Sequence, residues 1–129
     1  MSSLVENAIL LLLRQLFEHE EIPYLPSQTV TSNGDSGNIP LIVKFGSVVV
    51  FYLDVTSVSG TNPILDLYID IQDPLSGKWV NQDKFTPSIT TVGTYALALP
   101  VRSTKYRARW VLGGTNPSFT FSIGVVIVK

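Results

Sequence analysis

Hydrophobic and polar residues alternate along much of the chain, which predicts strands with one buried face. In one run the apolar positions are Leu65, Leu67, Ile69 and Ile71, and the polar face carries Asp66, Tyr68, Asp70 and Gln72. A second run repeats the pattern with Phe119, Phe121, Ile123, Val125 and Ile127. Because successive side chains of a strand point to opposite faces, each run has a core face and a solvated face. Strands are predicted near 41–45, 48–57, 64–72, 78–81, 94–99, 105–112 and 118–128.

The sequence Gly-Thr-Asn-Pro occurs twice, at 60–63 and 114–117, and each copy lies between two of these runs. Glycine supplies unusual backbone angles, and an asparagine before proline is held extended, so the chain can turn and re-enter a strand. We therefore predict two β-hairpins that face each other across one core. Further turns are predicted at 73–77 and 91–94.

Seven short strands with regular turns are typical of a mainly β fold, either an antiparallel β-sandwich or a jelly-roll-like barrel. The last strand is apolar on both faces over 125–128. An exposed edge of this kind would aggregate, so a partner strand or chain should cover it. Val126 and Val128 are therefore candidate contact residues.

The N-terminal residues 3–20 form the one convincing helix pattern. Ser3 and Glu6 fit a capping box, and Pro23 ends the run. Residues 8–13 are apolar on every side, so the helix should contact protein on more than one side. The contact candidates here are Leu4, Ile9, Leu12, Leu13, Leu16 and Phe17. The apolar run is too short for a membrane span, and it lacks the basic start of a secretory signal.

Residues 22–40 are rich in Pro, Ser, Asn and Gly, which predicts an irregular arm. Such an arm could tether the helix to a neighbouring molecule, and Tyr24 within it is a further contact candidate. The predicted organisation is an N-terminal helix and extended arm over 1–40 and a β domain over 41–129.

The composition is unusually apolar for a domain of 129 residues. Hydrophobic residues make up 45% and charged residues 15%, against about 25% charged in an average soluble domain. A small domain has much surface for its volume, so we infer that other chains cover part of it. The net charge of -1 gives no electrostatic basis for binding nucleic acid or an anionic membrane. No cysteine is present, which excludes disulfides and thiolate metal sites, and no cofactor is predicted.

Few residues are candidates for chemistry. His19 is the only histidine, so a surface position is favoured over a transition-metal site or a catalytic triad. Asp66 and Asp70 share one strand face, with Tyr68 between them. Two such carboxylates could serve glycoside hydrolysis or calcium binding, but a solvated strand face is the favoured interpretation.

The aromatic residues could form a sugar-binding platform or belong to the core and interfaces. Trp110 shares the predicted core face with Tyr106, whereas Trp79 lies nearer a loop and is the better contact candidate. Arg107 and Arg109 lie on the opposite face from Trp110. They could pair across strands with Asp54, Asp66 or Asp70.

Several motifs together resemble small structural proteins of tailed bacteriophages, in particular capsid decoration (cement) proteins. They are Leu-Asp-Val-Thr at 53–56, the run at 59–69, Gly-Lys-Trp at 77–79, Gly-Thr-Tyr at 93–95 and the run at 106–122. The resemblance covers about residues 48–126. It implies a β-sandwich or β-tulip domain, often trimeric, which sits on the outer capsid surface where capsomers meet. It carries no active-site motif.

The sequence therefore predicts a non-enzymatic virion structural protein. The implied partners are the major capsid protein and further copies of the chain in a homotrimer. The alternatives are a carbohydrate-binding or adhesion module that uses Trp79, another small head or tail component of a virion, and a hydrolase that uses Asp66 and Asp70.

Overall fold

The computed structural model describes residues 24–40 and 47–128, and these residues form one antiparallel sheet. The strands are β1 (Tyr24–Val30), β2 (Gly34–Asp35), β3 (Ile39–Pro40), β4 (Val48–Gln72), β5 (Trp79–Lys84), β6 (Gly93–Pro100) and β7 (Lys105–Val128). The mainly β, antiparallel prediction is confirmed. No helix in this part of the chain is long and apolar enough to cross a membrane. The predicted helix at 3–20 and the predicted strand at 41–45 lie outside the described residues.

β4 and β7 pair with each other along their whole length and form a long two-stranded ribbon. The pairing runs from Val48 opposite Val128 to Ile71 opposite Tyr106. The two Gly-Thr-Asn-Pro segments lie opposite each other, with Thr61 paired to Thr115. The prediction of two hairpins is therefore wrong, because each half of β4 pairs with β7 and not with the other half of β4.

The backbone bends where the two repeats meet. Gly60 and Gly114 have φ angles of 113° and 97°, as their predicted role requires. Asn62 and Asn116 have φ angles of 51° and 49°, so they are left-handed and not extended as predicted. Left-handed asparagine is tolerated because its short polar side chain adds little steric conflict there.

The bends fold the ribbon back on itself. The rings of Trp110 and Phe121 lie 5.5 Å apart although both belong to β7, and the rings of Phe51 and Tyr106 lie 5.7 Å apart. An extended strand would separate Trp110 from Phe121 by about 36 Å. The two ends of the ribbon therefore face each other and enclose the core. Its fully buried members include Phe51, Leu53, Leu65, Leu67, Ile69, Tyr106, Phe119 and Phe121.

We call these two ends half-sheets. The first half-sheet contains β6, residues 48–55 of β4, residues 121–128 of β7, and β1. The second contains β5, residues 64–72 of β4, residues 105–113 of β7, and the short strands β2 and β3. The predicted turn at 73–77 joins β4 to β5, and Gly77 N–H donates to the Asp73 carbonyl at 2.9 Å.

Residues 24–40 are not the irregular arm that the sequence predicted. β1, β2 and β3 each pair with β7 of the same chain. Between the strands, polar side chains complete the edge of β7. Asn33 Oδ1 accepts a hydrogen bond from Leu112 N–H, and Ser36 Oγ accepts one from Ala108 N–H. These polar residues form strands because the backbone N–H and C=O groups along the edge of β7 need hydrogen-bond partners. The boundary at residue 40 stays a prediction.

Candidate assembly surface

The outer side of the first half-sheet is apolar over three consecutive rows. Odd-numbered residues of β4 face the core here, so Val48, Val50 and Tyr52 face outward. The register places two neighbours beside each of them on the same side of the sheet. We call this surface the apolar face, and its members are Val48, Val50, Tyr52, Ala96, Ala98, Pro100, Gly124, Val126 and Val128.

The apolar face carries no charge, and most of its members are exposed, whereas Val50, Gly124 and Val126 are half-buried. Val48, Tyr52 and Val128 are 38%, 43% and 49% exposed. The next row is polar, and there Thr94 donates a hydrogen bond to Asp54 at 3.2 Å. An antiparallel sheet that faces water on one side normally alternates apolar and polar residues, so this face is expected to have a cover.

Gly124 makes a notch in the apolar face. A Cβ atom added to Gly124 would meet no other atom within 4 Å. Its pairing partners in the adjoining strands are Tyr52 in β4 and Tyr24 in β1, and the small residue Ala96 of β6 lies beyond Tyr52. Glycine inside a strand weakens it, and such a position often marks a place where another backbone approaches closely. The notch is therefore consistent with a covering segment that lies against the sheet.

The outer side of the second half-sheet has the opposite character, because charged and aromatic residues interlock there. The Nε–H groups of Arg107 and Arg109 both donate to Asp70 Oδ2 at 2.9 Å. The Arg107 guanidinium lies 4.9 Å from the centre of the Trp79 ring, and that of Arg109 lies 4.3 Å from the Tyr68 ring. The sequence predicted Asp70 as one possible partner of these arginines, and this pairing is confirmed.

Asp66 continues the same cluster toward β5. Lys84 Nζ donates to Asp66 Oδ1 at 3.0 Å, and the Ser88 hydroxyl donates to the same oxygen. The hydrogen bond from Ser88 and then the charge and hydrogen bond of Lys84 lower the pKa of Asp66, although burial opposes them. The Asp66 carboxylate in turn raises the pKa of Lys84. We call this set the charged cluster; its members are Asp66, Tyr68, Asp70, Trp79, Lys84, Ser88, Arg107 and Arg109.

The charged cluster is organised as a set of ion pairs and stacked rings. The prediction that this strand face is solvated is wrong for Asp70. This residue is 1% exposed because two arginine side chains cover it. The pKa of Asp66 is lowered, whereas the acid of a glycosidase needs a carboxyl group whose pKa is raised. Within residues 24–40 and 47–128, no group of three His, Cys, Asp or Glu side chains could hold a metal ion.

The structure distributes the predicted contact residues over three places. Val126 and Val128 lie in the apolar face, and Tyr24 begins β1 opposite Gly124. Trp79 is half-buried in the charged cluster, with Arg107 over its ring, so the carbohydrate-binding alternative stays a prediction. The other predicted residues, Leu4, Ile9, Leu12, Leu13, Leu16, Phe17 and His19, lie outside the described residues.

Of the nine residues of the apolar face, the sequence predicted Val126 and Val128 as contact residues and missed the other seven. Val48, Val50 and Tyr52 belong to an unbroken apolar run over 48–53, which resembles the C-terminal run at 125–128. This run was a usable signal, because a strand that is apolar on both of its faces is expected to be covered by protein on both faces. Only the register shows that the two runs are neighbours, with Val50 opposite Val126.

No protein-family model matches this chain, and no curated protein sequence matches it. The resemblance to decoration proteins therefore depends on the motifs that carry it. The apolar face and the charged cluster are the two features of the described residues that bear on function.

Proposed function

We propose that this protein is a non-enzymatic virion structural protein of the capsid decoration type. It binds the outer capsid surface at capsomer junctions, contacts the major capsid protein and assembles as a homotrimer. The observation that carries the proposal is the apolar face, which presents three adjoining uncharged rows on the outside of a small domain. A surface of this kind is typical of a protein that is covered by other chains.

We infer that the folded ribbon is a jelly-roll-like β-sandwich. Support comes from the ring contacts between opposite ends of the ribbon, Trp110 with Phe121 and Phe51 with Tyr106. A sandwich presents two outer faces, and here one is apolar while the other is occupied by the charged cluster. This division supports a protein that docks with one side and faces solvent with the other.

In the proposed function, binding comes from one apolar contact that every copy of the protein repeats. Each copy contributes a modest buried area, and symmetry multiplies it because every copy makes the same contact. Copies joined in a trimer bind a shell with higher avidity than one copy, since the later contacts are intramolecular. The protein needs no reactive group for this role.

A charge placed in the apolar face tests the proposal. Val126→Glu is compared with Leu75→Glu, because Leu75 is 96% exposed in the turn between β4 and β5 and lies outside the face. The measurements are the oligomeric state by sedimentation velocity and binding to phage shells that lack small decorating proteins. Wild type and Leu75→Glu should be trimers that bind shells. Val126→Glu should bind at least about tenfold more weakly, because a buried unpaired charge costs more than about 1.4 kcal/mol.

Either of two results would contradict the proposal. A wild-type protein that stays monomeric at every concentration and binds no shell would contradict it. Equal binding by Val126→Glu and Leu75→Glu would show that the apolar face takes no part.

A further inference from the structure

Strand β6 is an open edge of the first half-sheet. In the part of the chain that the structure describes, β6 pairs with β4 alone, and the register runs without a shift along all 8 of its residues. Tyr95 and Leu97 point toward the core but are only half-buried, whereas their two pairing partners in β4 are fully buried. The core is therefore left partly uncovered along β6.

The hydrogen bonds beside β6 show which of its backbone groups face away from β4. Val101 N–H donates to the Ser47 carbonyl at 3.1 Å, and this pair continues the register of β6 with β4. Hydrogen-bonded pairs alternate along an antiparallel ladder, so the odd-numbered residues of β6 bond to β4. The N–H and C=O groups of Thr94, Ala96 and Ala98 therefore point to the open edge, where no described residue bonds with them.

The other edges among the described residues carry features that discourage the addition of a strand. β1 contains Pro26 and a bulge between Leu25 and Gln28. β5 carries Asp83 and Lys84 together with a shift of register, and β2 and β3 are only 2 residues long. β6 has no charged residue, no bulge and no proline before its last position. Of these edges, β6 is the one suited to accept another strand.

A cleft of about 340 Å³ lies at the Pro100 end of this edge, between β6 and β5. Gln82 of β5 lines the cleft, and its Nε2 group donates to the Pro100 carbonyl at 3.0 Å. The other amide atom, Gln82 Oε1, is buried and has no hydrogen-bond partner among the described residues. Because an unpaired buried acceptor is costly, a donor supplied by an incoming segment would stabilise the cleft.

We propose that β6 accepts a strand of the capsid partner, which extends the first half-sheet and ends in the cleft at Gln82. The added segment is extended, uncharged and mainly apolar, because β6 presents Ala96 and Ala98 on its outer side and Leu97 toward the core. In this mode of recognition, hydrogen bonds between main chains supply affinity and alternate side chains supply specificity. The added strand lies beside the apolar face and leaves it free, and the identity of the donor as the capsid protein rests on the proposed function.

A second copy of the chain fits this edge less well than the capsid partner. Because the other described edges of a second copy discourage pairing, its β6 would have to pair with β6 of the first copy. Such a contact uses the same surface on both copies and joins them by a two-fold axis, which does not build the proposed trimer. A strand of the capsid partner adds to each copy separately and leaves the symmetry of the trimer unchanged.

Hydrogen exchange tests strand addition on the wild-type protein. Amide exchange is followed residue by residue over 93–100 in the free protein and in the protein bound to phage shells that lack small decorating proteins. In the free protein the amides of Thr94, Ala96 and Ala98 should exchange fast, and those of Tyr95 and Leu97 should exchange slowly. Shell binding should slow the three fast amides at least about tenfold.

A proline variant tests the same edge by affinity. Ala96→Pro removes the N–H group at the middle of the open edge and leaves the ladder with β4, since proline is tolerated on the open side of an edge strand. Ala96→Ser is the matched control, because it keeps the N–H group and a small side chain. Ala96→Pro should bind shells at least about tenfold more weakly, and Ala96→Ser should change binding less than about twofold. Urea denaturation shows that the variants compared are folded.

Three results would overturn strand addition by the capsid partner. Shell binding by the wild type without slower exchange at the three outward amides, together with equal binding by folded Ala96→Pro, would overturn it and leave the decoration function standing. Protection of these amides that rises with protein concentration in the absence of shells would identify a second copy as the occupant. A wild type that binds no shell would overturn the decoration function and the capsid partner with it.

Discussion

Gly60 lies against the backbone of Asn116, so that a Cβ atom on Gly60 would sit 2.6 Å from the Asn116 carbonyl oxygen. The relationship is reciprocal, because a Cβ atom on Gly114 would clash with the carbonyl oxygen of Asn62. The two Gly-Thr-Asn-Pro segments are therefore a matched pair of bends that cross each other at the fold of the ribbon. Each glycine makes room for the other repeat.

Alanine at either glycine should destabilise the protein strongly. In Gly114→Ala the new methyl group meets backbone and must also adopt a φ near 97°, so we expect a loss of about 2 to 3 kcal/mol in the free energy of unfolding. The measurement is urea denaturation followed by fluorescence. Gly124→Ala is the control and should change stability by less than about 0.5 kcal/mol. Equal losses in the two variants would contradict the crossing bends.

Removal of the Asp70 charge should be costly. Asp70→Asn leaves the guanidinium groups of Arg107 and Arg109 without their shared carboxylate in a half-buried site, so the loss should approach about 3 kcal/mol. Asp54→Asn is the matched control, because Asp54 is exposed and accepts a single hydrogen bond from Thr94. Chemical denaturation compares the two variants. A loss at Asp70 no larger than that at Asp54 would mean that the ion cluster is not structural.

The Asp66–Lys84 pair should make stability depend on pH at both ends of the scale. The pKa of Asp66 is lower in the folded protein than its ordinary 3.8, so its contribution is full above about pH 4 and is lost as the pH falls through the folded value. The pKa of Lys84 is higher than its ordinary 10.5, so its contribution is full below that value and is lost as the pH rises through the folded pKa.

Asp66→Asn should therefore flatten the acid side of the stability profile. The free energy of unfolding, measured from pH 2 to pH 7, should fall less steeply in the variant than in the wild type. Ser88→Ala should produce a weaker effect in the same direction, since the Ser88 hydroxyl is the largest cause of the lowered pKa of Asp66. Identical acid slopes in all three proteins would disprove the assignment.

Gly34 should report on the packing of Trp110. A Cβ atom on Gly34 would lie 3.1 Å from Nε1 of Trp110, whose N–H donates to the Ser32 carbonyl. Gly34→Val should push the indole away and cost about 1 to 3 kcal/mol, as overpacked sites do. A red shift in tryptophan emission should accompany the loss, because Trp110 would become wetter. Unchanged emission with unchanged stability would mean that β2 does not pack on this ring.

The alternation of residues was enough to locate most strands and the core. Tyr106 and Trp110 are buried as the alternation predicts, and Arg107 and Arg109 are on the other side. The pairing was not predictable in the same way, since strands of similar pattern can pair with any of several partners. Residues 24–40 show the limit well, because their polar side chains predict a loop in isolation and β7 turns them into strands.

The sequence by itself determined the mainly β class, most strand positions within 47–128, the buried side of those strands and the excess of apolar residues. These properties follow from local periodicity and composition, which any short window of the chain contains. Only the tertiary structure decided that the two repeats cross each other, that Val50 lies beside Val126, and that Asp70 is buried beneath two arginines. These facts depend on contacts between residues far apart in the chain. The free energy with which two distant strands pair cannot be read from a short window of the sequence.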